Sequence, residues 1–151
     1  MTLTSLIASL TAGHFLCGYL CGLPIKSYEI NDDTNVACVE FHTAEAVNGK
    51  GELSDEDIAA LTVVAMSGSI AEIMKYDKAT GGENDLLELQ NCFRKSKEFI
   101  GAAKQQDLTR WGALTSFSLI NANMSKYEGL VQAFKDKKSL SECVSIIEGT
   151  A

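Results

Sequence analysis

The sequence predicts a mainly α-helical fold of the α+β class, with one small β-hairpin after the first helix. Three observations carry that expectation. Apolar residues recur at helical spacing over most of the chain, as in Ile58, Leu61 and Val64. Two serines, Ser54 and Ser139, stand three residues before acids in the pattern of helix-capping boxes. Only between Ile25 and Phe41 do β-branched and aromatic residues approach a period of two, on either side of a polar turn.

The elements follow in order. The first helix is expected from about Thr4 to Gly22, stopping before Pro24, because the residue before a proline avoids helical backbone. Ile25–Ile30 and Val36–Phe41 form the hairpin, and Asn31-Asp32-Asp33-Thr34-Asn35 is its turn. Ala44 to Gly51 is a loop. Ser54-Asp55-Glu56-Asp57 opens a second helix that reaches about Lys75, with aspartate where a capping box usually has glutamate or glutamine. Asp77 to Gly82 is a turn, and a third helix covers about Asn84 to Ala103. Another starts near Asp107 and runs to about Lys135, with a break expected near Gly129. Ser139-Leu140-Ser141-Glu142 is a full capping box and opens a last short helix. Trp111, Phe117 and Ile120 share a helical spacing and are expected in the core.

The 151 residues fit one domain spanning 1–151, with no internal repeat, linker or low-complexity tract. Hydrophobic residues at 46% and charged residues at 22% give a globular rather than a disordered balance. The net charge of −7 argues against nucleic acid or an anionic membrane surface as partner, since either needs a basic patch. Five scattered cysteines suggest no disulfide framework and fit a reducing, cytoplasmic compartment. Leu3 to Ile25 is apolar, yet it holds His14, Thr11, two serines and three glycines and lacks a basic flank. It is expected to be a buried core helix rather than a spanning one or a signal peptide.

Leu10-Thr11-Ala12-Gly13-His14 has the spacing of the zinc-protease signature H-E-x-x-H, with its first half replaced. In that signature two histidines four apart on one helix face bind zinc, and the glutamate activates the metal-bound water. Here Leu10 stands at the first ligand, Thr11 at the general base, and only His14 is kept. Ala12-Gly13-His14-Phe15 with Tyr19, Leu20 and Leu23-Pro24-Ile25, then Ala65-Met66-Ser67-Gly68-Ser69-Ile70-Ala71-Glu72, then Thr80-Gly81-Gly82-Glu83-Asn84-Asp85-Leu86 follow in order. In that order they resemble the peptidase domain of FtsH, the membrane-anchored AAA zinc metalloprotease. The resemblance covers roughly residues 5 to 95. Around Arg110-Trp111-Gly112-Ala113-Leu114 the chain is similar to a stand-alone cyanobacterial and chloroplast subgroup, which would place a plastid member in the stroma. The resemblance implies a helical peptidase-like fold and makes Asp85 the inherited third zinc ligand beside His14. There is no AAA module, since no G-x-x-x-x-G-K-[ST] phosphate loop occurs in the chain.

Catalytic zinc sites keep three protein ligands and a water. With Leu10 and Thr11 in place, His14 and Asp85 are vestigial metal candidates, no catalytic residue is assigned and no resident cofactor is expected. The reading is a pseudopeptidase with a binding or regulatory role and a protein partner. The competing reading is a zinc metallopeptidase with an altered site, using His14, Asp85 and either Cys17 or a partner's residue. A third is a helical interaction module unrelated to proteolysis. Each candidate also has a plainer reading. His14 can be a buried histidine bonded to a backbone carbonyl, and Asp85 a first-turn acid favoured by the helix dipole. Cys17 and Cys21 can be small core residues. Gly81-Gly82 reads as a turn, and Glu72, which matches a family glutamate near the zinc, as a solvated or hydrogen-bonded acid.

Overall fold

A short left-handed residue ends the N-terminal helix and turns the chain into the hairpin. Gly22, at φ 85°, follows helix α1 (Leu3–Leu20), and Pro24 follows it in turn. Strands β1 (Ile25–Asn31) and β2 (Val36–Phe41) pair antiparallel, from Ile25 opposite Phe41 to Asn31 opposite Val36, with one irregularity between Ile25 and Ser27. The computed structural model describes residues 3–31, 33–34, 36–42, 51–77 and 83–149. The expected loop before Gly51 and the turn through Thr80-Gly81-Gly82 lie outside the described residues.

Helix α2 (Asp55–Tyr76) starts at the expected capping box. Asp57 N–H donates to Ser54 Oγ, and Ser54 N–H donates to the Asp57 carboxylate. Three acids in its first turn add to the favourable field of the helix N-terminus. Asp77, left-handed at φ 61°, closes it. Helix α3 (Glu83–Arg94) ends earlier than the sequence suggests. Its pattern does not continue to Ala103, because the chain after Arg94 is captured by the segment before α2. Leu53 N–H donates to the Lys95 carbonyl at 2.8 Å and Lys97 N–H to the Leu53 carbonyl at 3.1 Å, a short parallel bridge.

Gly101 then caps helix α4 (Ala102–Ala122). The helical run to Lys135 is broken at Asn123, not near Gly129. The Asn123 side chain donates to the Leu119 carbonyl, and helix α5 (Met124–Lys135) starts afresh. Helix α6 (Leu140–Glu148) opens at the expected Ser139–Glu142 box and closes at Gly149, φ 75°. Six helices and one two-stranded sheet make up the described residues.

The larger core is built on α1. Ala8, Ala12, Phe15, Leu16 and Cys17 meet Val63 and Ala71 of α2, Ile120 of α4, Leu130 and Phe134 of α5, and Cys143 and Ile147 of α6. Burying such side chains is worth about 1.5–3 kcal/mol each, so α1 serves as a central core helix. Phe15, Tyr28 and Phe134 form an aromatic cluster, with Tyr28 and Phe134 centroids 4.7 Å apart, that pins the hairpin to α1 and α5. A smaller core joins Leu53, Ile58, Leu89, Cys92, Phe93 and Ile100. Gly13 lets α1 and α2 touch: a β-carbon there would stand 2.8 Å from the Ser67 carbonyl oxygen.

Helix α2 is the one described helix long and apolar enough to cross a membrane. Ile58, Thr62, Val63, Ser67, Gly68, Ala71 and Glu72 along it are buried inside the fold. One expected core stripe is corrected. Ile120 is fully buried, but Trp111 and Phe117 are 45% and 47% exposed. The buried line of α4 runs instead through Gly112, Ser116 and Ile120, where Gly112 comes within contact of Thr62.

Candidate functional site

The site forms where α1, α2 and α3 converge beneath strand β2. Helix α1 carries His14, and α3 carries Asp85 in its first turn. The His14 Nε2 and Asp85 Oδ2 atoms are 3.4 Å apart, with side chains 19% and 23% exposed. Helix α2 makes the meeting possible through Gly68. A β-carbon on that residue would lie 2.7 Å from His14 Nε2 and 3.2 Å from Asp85 Oδ2. Two groups 71 residues apart in sequence thus meet across a helix surface that has been cleared of side chain.

The other imidazole nitrogen is held by α2. His14 Nδ1 lies 2.8 Å from the Val64 carbonyl, which can only accept, so Nδ1 carries a proton. The Ser67 hydroxyl donates to the same carbonyl at 2.6 Å and lies 3.2 Å from Nδ1. Nε2 is therefore the nitrogen turned toward Asp85, as a lone pair in the neutral ring and as a donor in the charged one. Facing a carboxylate, that position favours a proton or a cation. Burial pulls the His14 pKa down. The Asp85 hydrogen bond and charge, the Val64 carbonyl and the more distant Glu88 outweigh it, and the value is raised.

His14 and Asp85 line a cleft of about 370 Å³. Leu61, Val64 and Ala65 of α2 and Glu88, Leu89 and Cys92 of α3 line it as well. Strand β2 lines it too, and every residue from Ala37 to Phe41 contributes. Side chains alternate across a strand, so five consecutive lining residues mean that the strand borders the cleft with its edge. Its only strand partner among the described residues is β1.

Thr11 is 2% exposed, and its hydroxyl donates to the Ile7 carbonyl one turn back at 2.8 Å. It is bound into its own helix and cannot serve as a base. Leu10 is half-buried and is not part of the cleft wall. Two ligands of a tetrahedral zinc, each about 2.0–2.1 Å from the metal, stand roughly 3.4 Å apart. The His14–Asp85 separation equals one edge of such a site, but three ligands are needed for catalysis. Among the described residues no group of three His, Cys, Asp or Glu side chains is placed to hold an ion. The described residues do not by themselves supply the three protein ligands of a catalytic zinc.

No family model matches the chain, and no curated protein matches it.

The cysteines take the plainer of their two readings. Cys17 is fully buried, and burial foremost pushes its thiol up to about 12. Cys21 is raised by burial as well. In the cleft, burial and the charge of Glu88 raise Cys92, while burial with Glu29, Glu40 and Glu88 raises Cys38. Thiols held protonated in this way are poor nucleophiles and poor metal ligands. Glu72 is 1% exposed, which removes the solvated reading. His42 is exposed just beyond β2. The sequence reading missed four contributors: the Val64 carbonyl, Ser67, Gly68 and Glu88. The adjacent small pair Ser67-Gly68 in an otherwise apolar helix was the available signal, since small residues mark close approach. For Glu88 the available signal was its place as the next acid on the Asp85 face, three residues on.

Proposed function

We propose that this chain is an FtsH-like peptidase domain that has lost catalysis and works by holding an extended segment of a protein partner. One observation carries the reading: the His14–Asp85 pair lies in a cleft bordered by the edge of a strand whose only strand partner among the described residues is β1. Main-chain hydrogen bonds along such an edge bind extended polypeptide without regard to most of its sequence. The His14 ring and the carboxylates of Glu40, Asp85 and Glu88 give the cleft its polar character. Without a third ligand and without a base at Thr11, the bound segment meets no activated water. The role is regulatory or adaptor-like, in the reducing compartment that the free cysteines suit.

The test is a titration of the isotopically labelled protein with a permanently unfolded polypeptide, such as a reduced and carboxymethylated small protein. Backbone amide shifts should concentrate in Ala37–Phe41, with a shift of the His14 ring signals, and the polypeptide should stay intact by mass spectrometry. Chelator-sensitive fragmentation would reverse the non-catalytic assignment. Absence of any change along β2 at saturating polypeptide would remove the binding assignment.

A second reading is supported by the 3.4 Å separation, which suits two corners of a zinc tetrahedron. In it the chain is a zinc-dependent endopeptidase completed by a donor from a partner subunit. Cys17, the internal alternative, is disfavoured by its burial and raised pKa. Zinc content of the untagged protein, alone and with its partner, separates the two readings.

A further inference from the structure

Helix α4 turns to solvent a face that lacks the charge such faces normally carry. Trp111, Leu114 and Phe117 are 45%, 69% and 47% exposed. From Trp111 through Ser125 no residue is charged, although the chain as a whole carries −7. At ~100° per residue Leu114 projects from the middle of this face, with Trp111 and Phe117 about 60° to either side. Nothing in the cleft beneath β2 uses these side chains.

We propose that this face joins two copies of the chain, α4 against α4 in antiparallel sense, about a two-fold axis passing by Leu114. A two-fold contact must be complementary to itself. The stripe meets that requirement, since reversing the helix exchanges one aromatic side chain for the other and leaves leucine in the centre. The axis sets Trp111 of one copy against Phe117 of the other. It also sets Arg110 against Ser118 and Asp107 against Asn121, so no like charges meet. Two chains of net charge −7 repel, and repulsion is least where an uncharged stretch makes the contact. The three side chains leave on the order of 300 Å² to cover. That is the apolar centre of an interface whose usual size is roughly 800 Å² a side, and it fits a dimer of modest, concentration-dependent affinity.

Trp111 is the only tryptophan in the chain, so the emission of the intact protein reports this face alone. Sedimentation velocity and emission spectra are recorded from low micromolar to near-millimolar protein. The expected result is a rise from monomer to dimer with a blue shift of the emission over the same concentration range. Leu114→Glu places two carboxylates beside the axis. It should remain monomeric throughout, with an unchanged helical circular dichroism spectrum because the site is exposed. In a Cys38→Ser background, Leu114→Cys should cross-link under mild oxidation while the background protein does not, since a residue beside the axis meets its own copy within disulfide reach. The proposal is overturned by a monomer with constant emission at every concentration. It is equally overturned by a dimer that survives Leu114→Glu, or by a different protein that occupies the Trp111 face in place of the second copy.

Discussion

His14 Nδ1 and the Ser67 hydroxyl converge on one acceptor, the Val64 carbonyl, at 2.8 and 2.6 Å. The imidazole is thereby fixed in tautomer and orientation by helix α2, and its second nitrogen is presented to Asp85. An outer group that orients a histidine in this manner is a frequent companion of metal-binding rings. Here the oriented ring meets a single carboxylate, Asp85.

Restoring the missing half of the motif tests that geometry. Leu10→His with Thr11→Glu recreates H-E-x-x-H at helical spacing. The double variant should lose about 1–3 kcal/mol without metal, because Thr11 is buried and the new groups lack partners. Zinc should then raise its melting temperature and leave the wild type unchanged, as a ligand of the folded state alone would. A folded double variant that ignores zinc would mean the site has closed.

Thr11→Val should keep stability within about 1.5 kcal/mol and leave polypeptide binding intact, because the lost hydroxyl bonds only within its own helix. Denaturant midpoints and the binding titration measure both. A selective loss of function in this variant would give Thr11 a role that its hydrogen bond does not suggest.

Gly68→Ala should separate the pair. The added methyl would stand 2.7 Å from His14 Nε2, and relieving it displaces the ring or Asp85 at a cost of about 1–3 kcal/mol. The His14 pKa, followed by proton NMR, should fall as Asp85 recedes. An unchanged His14 titration would contradict the close packing.

The pH dependence follows from the raised His14 pKa. The folded state holds the proton more tightly than the unfolded chain, whose value is about 6.5. The stabilisation is present in full below that value and is lost as pH rises through the higher folded value. The stability gap between wild type and Asp85→Asn should therefore narrow from mildly acidic to mildly alkaline pH. A gap that widens with pH would reverse the assignment of charge.

The elements that were legible in the sequence are those fixed by neighbours. The hairpin limits and both capping boxes depend on residues within a few positions, and Ser54 with Asp57 and Ser139 with Glu142 make the bonds their spacing implies. The end of α3 was not legible, because it is set by Leu53, more than forty residues earlier in the chain. Trp111 and Phe117 were misplaced for a related reason. Their spacing is that of a core stripe, and only the approach of Gly112 to Thr62 decides which side of α4 is buried. In the site, the resemblance implied Asp85 beside His14, and the two side chains stand 3.4 Å apart. The Val64 carbonyl was beyond reach, since a backbone group leaves no mark on residue identity.

The bridge between Leu53 and the chain after Arg94 anchors one end of helix α3. Its far end is tied down by two backbone hydrogen bonds and by Leu89, Cys92 and Phe93 in the smaller core. Asp85 rides near the opposite end, nine residues from Arg94 and so ~14 Å along the axis. A tilt of ~5° about the tied end displaces the carboxylate by roughly 1 Å, enough to open or close a hydrogen bond with His14. Leu86 and Leu87 stand exposed beside Asp85 at that end. The length of the His14–Asp85 contact is thus tied to the tilt of one short helix.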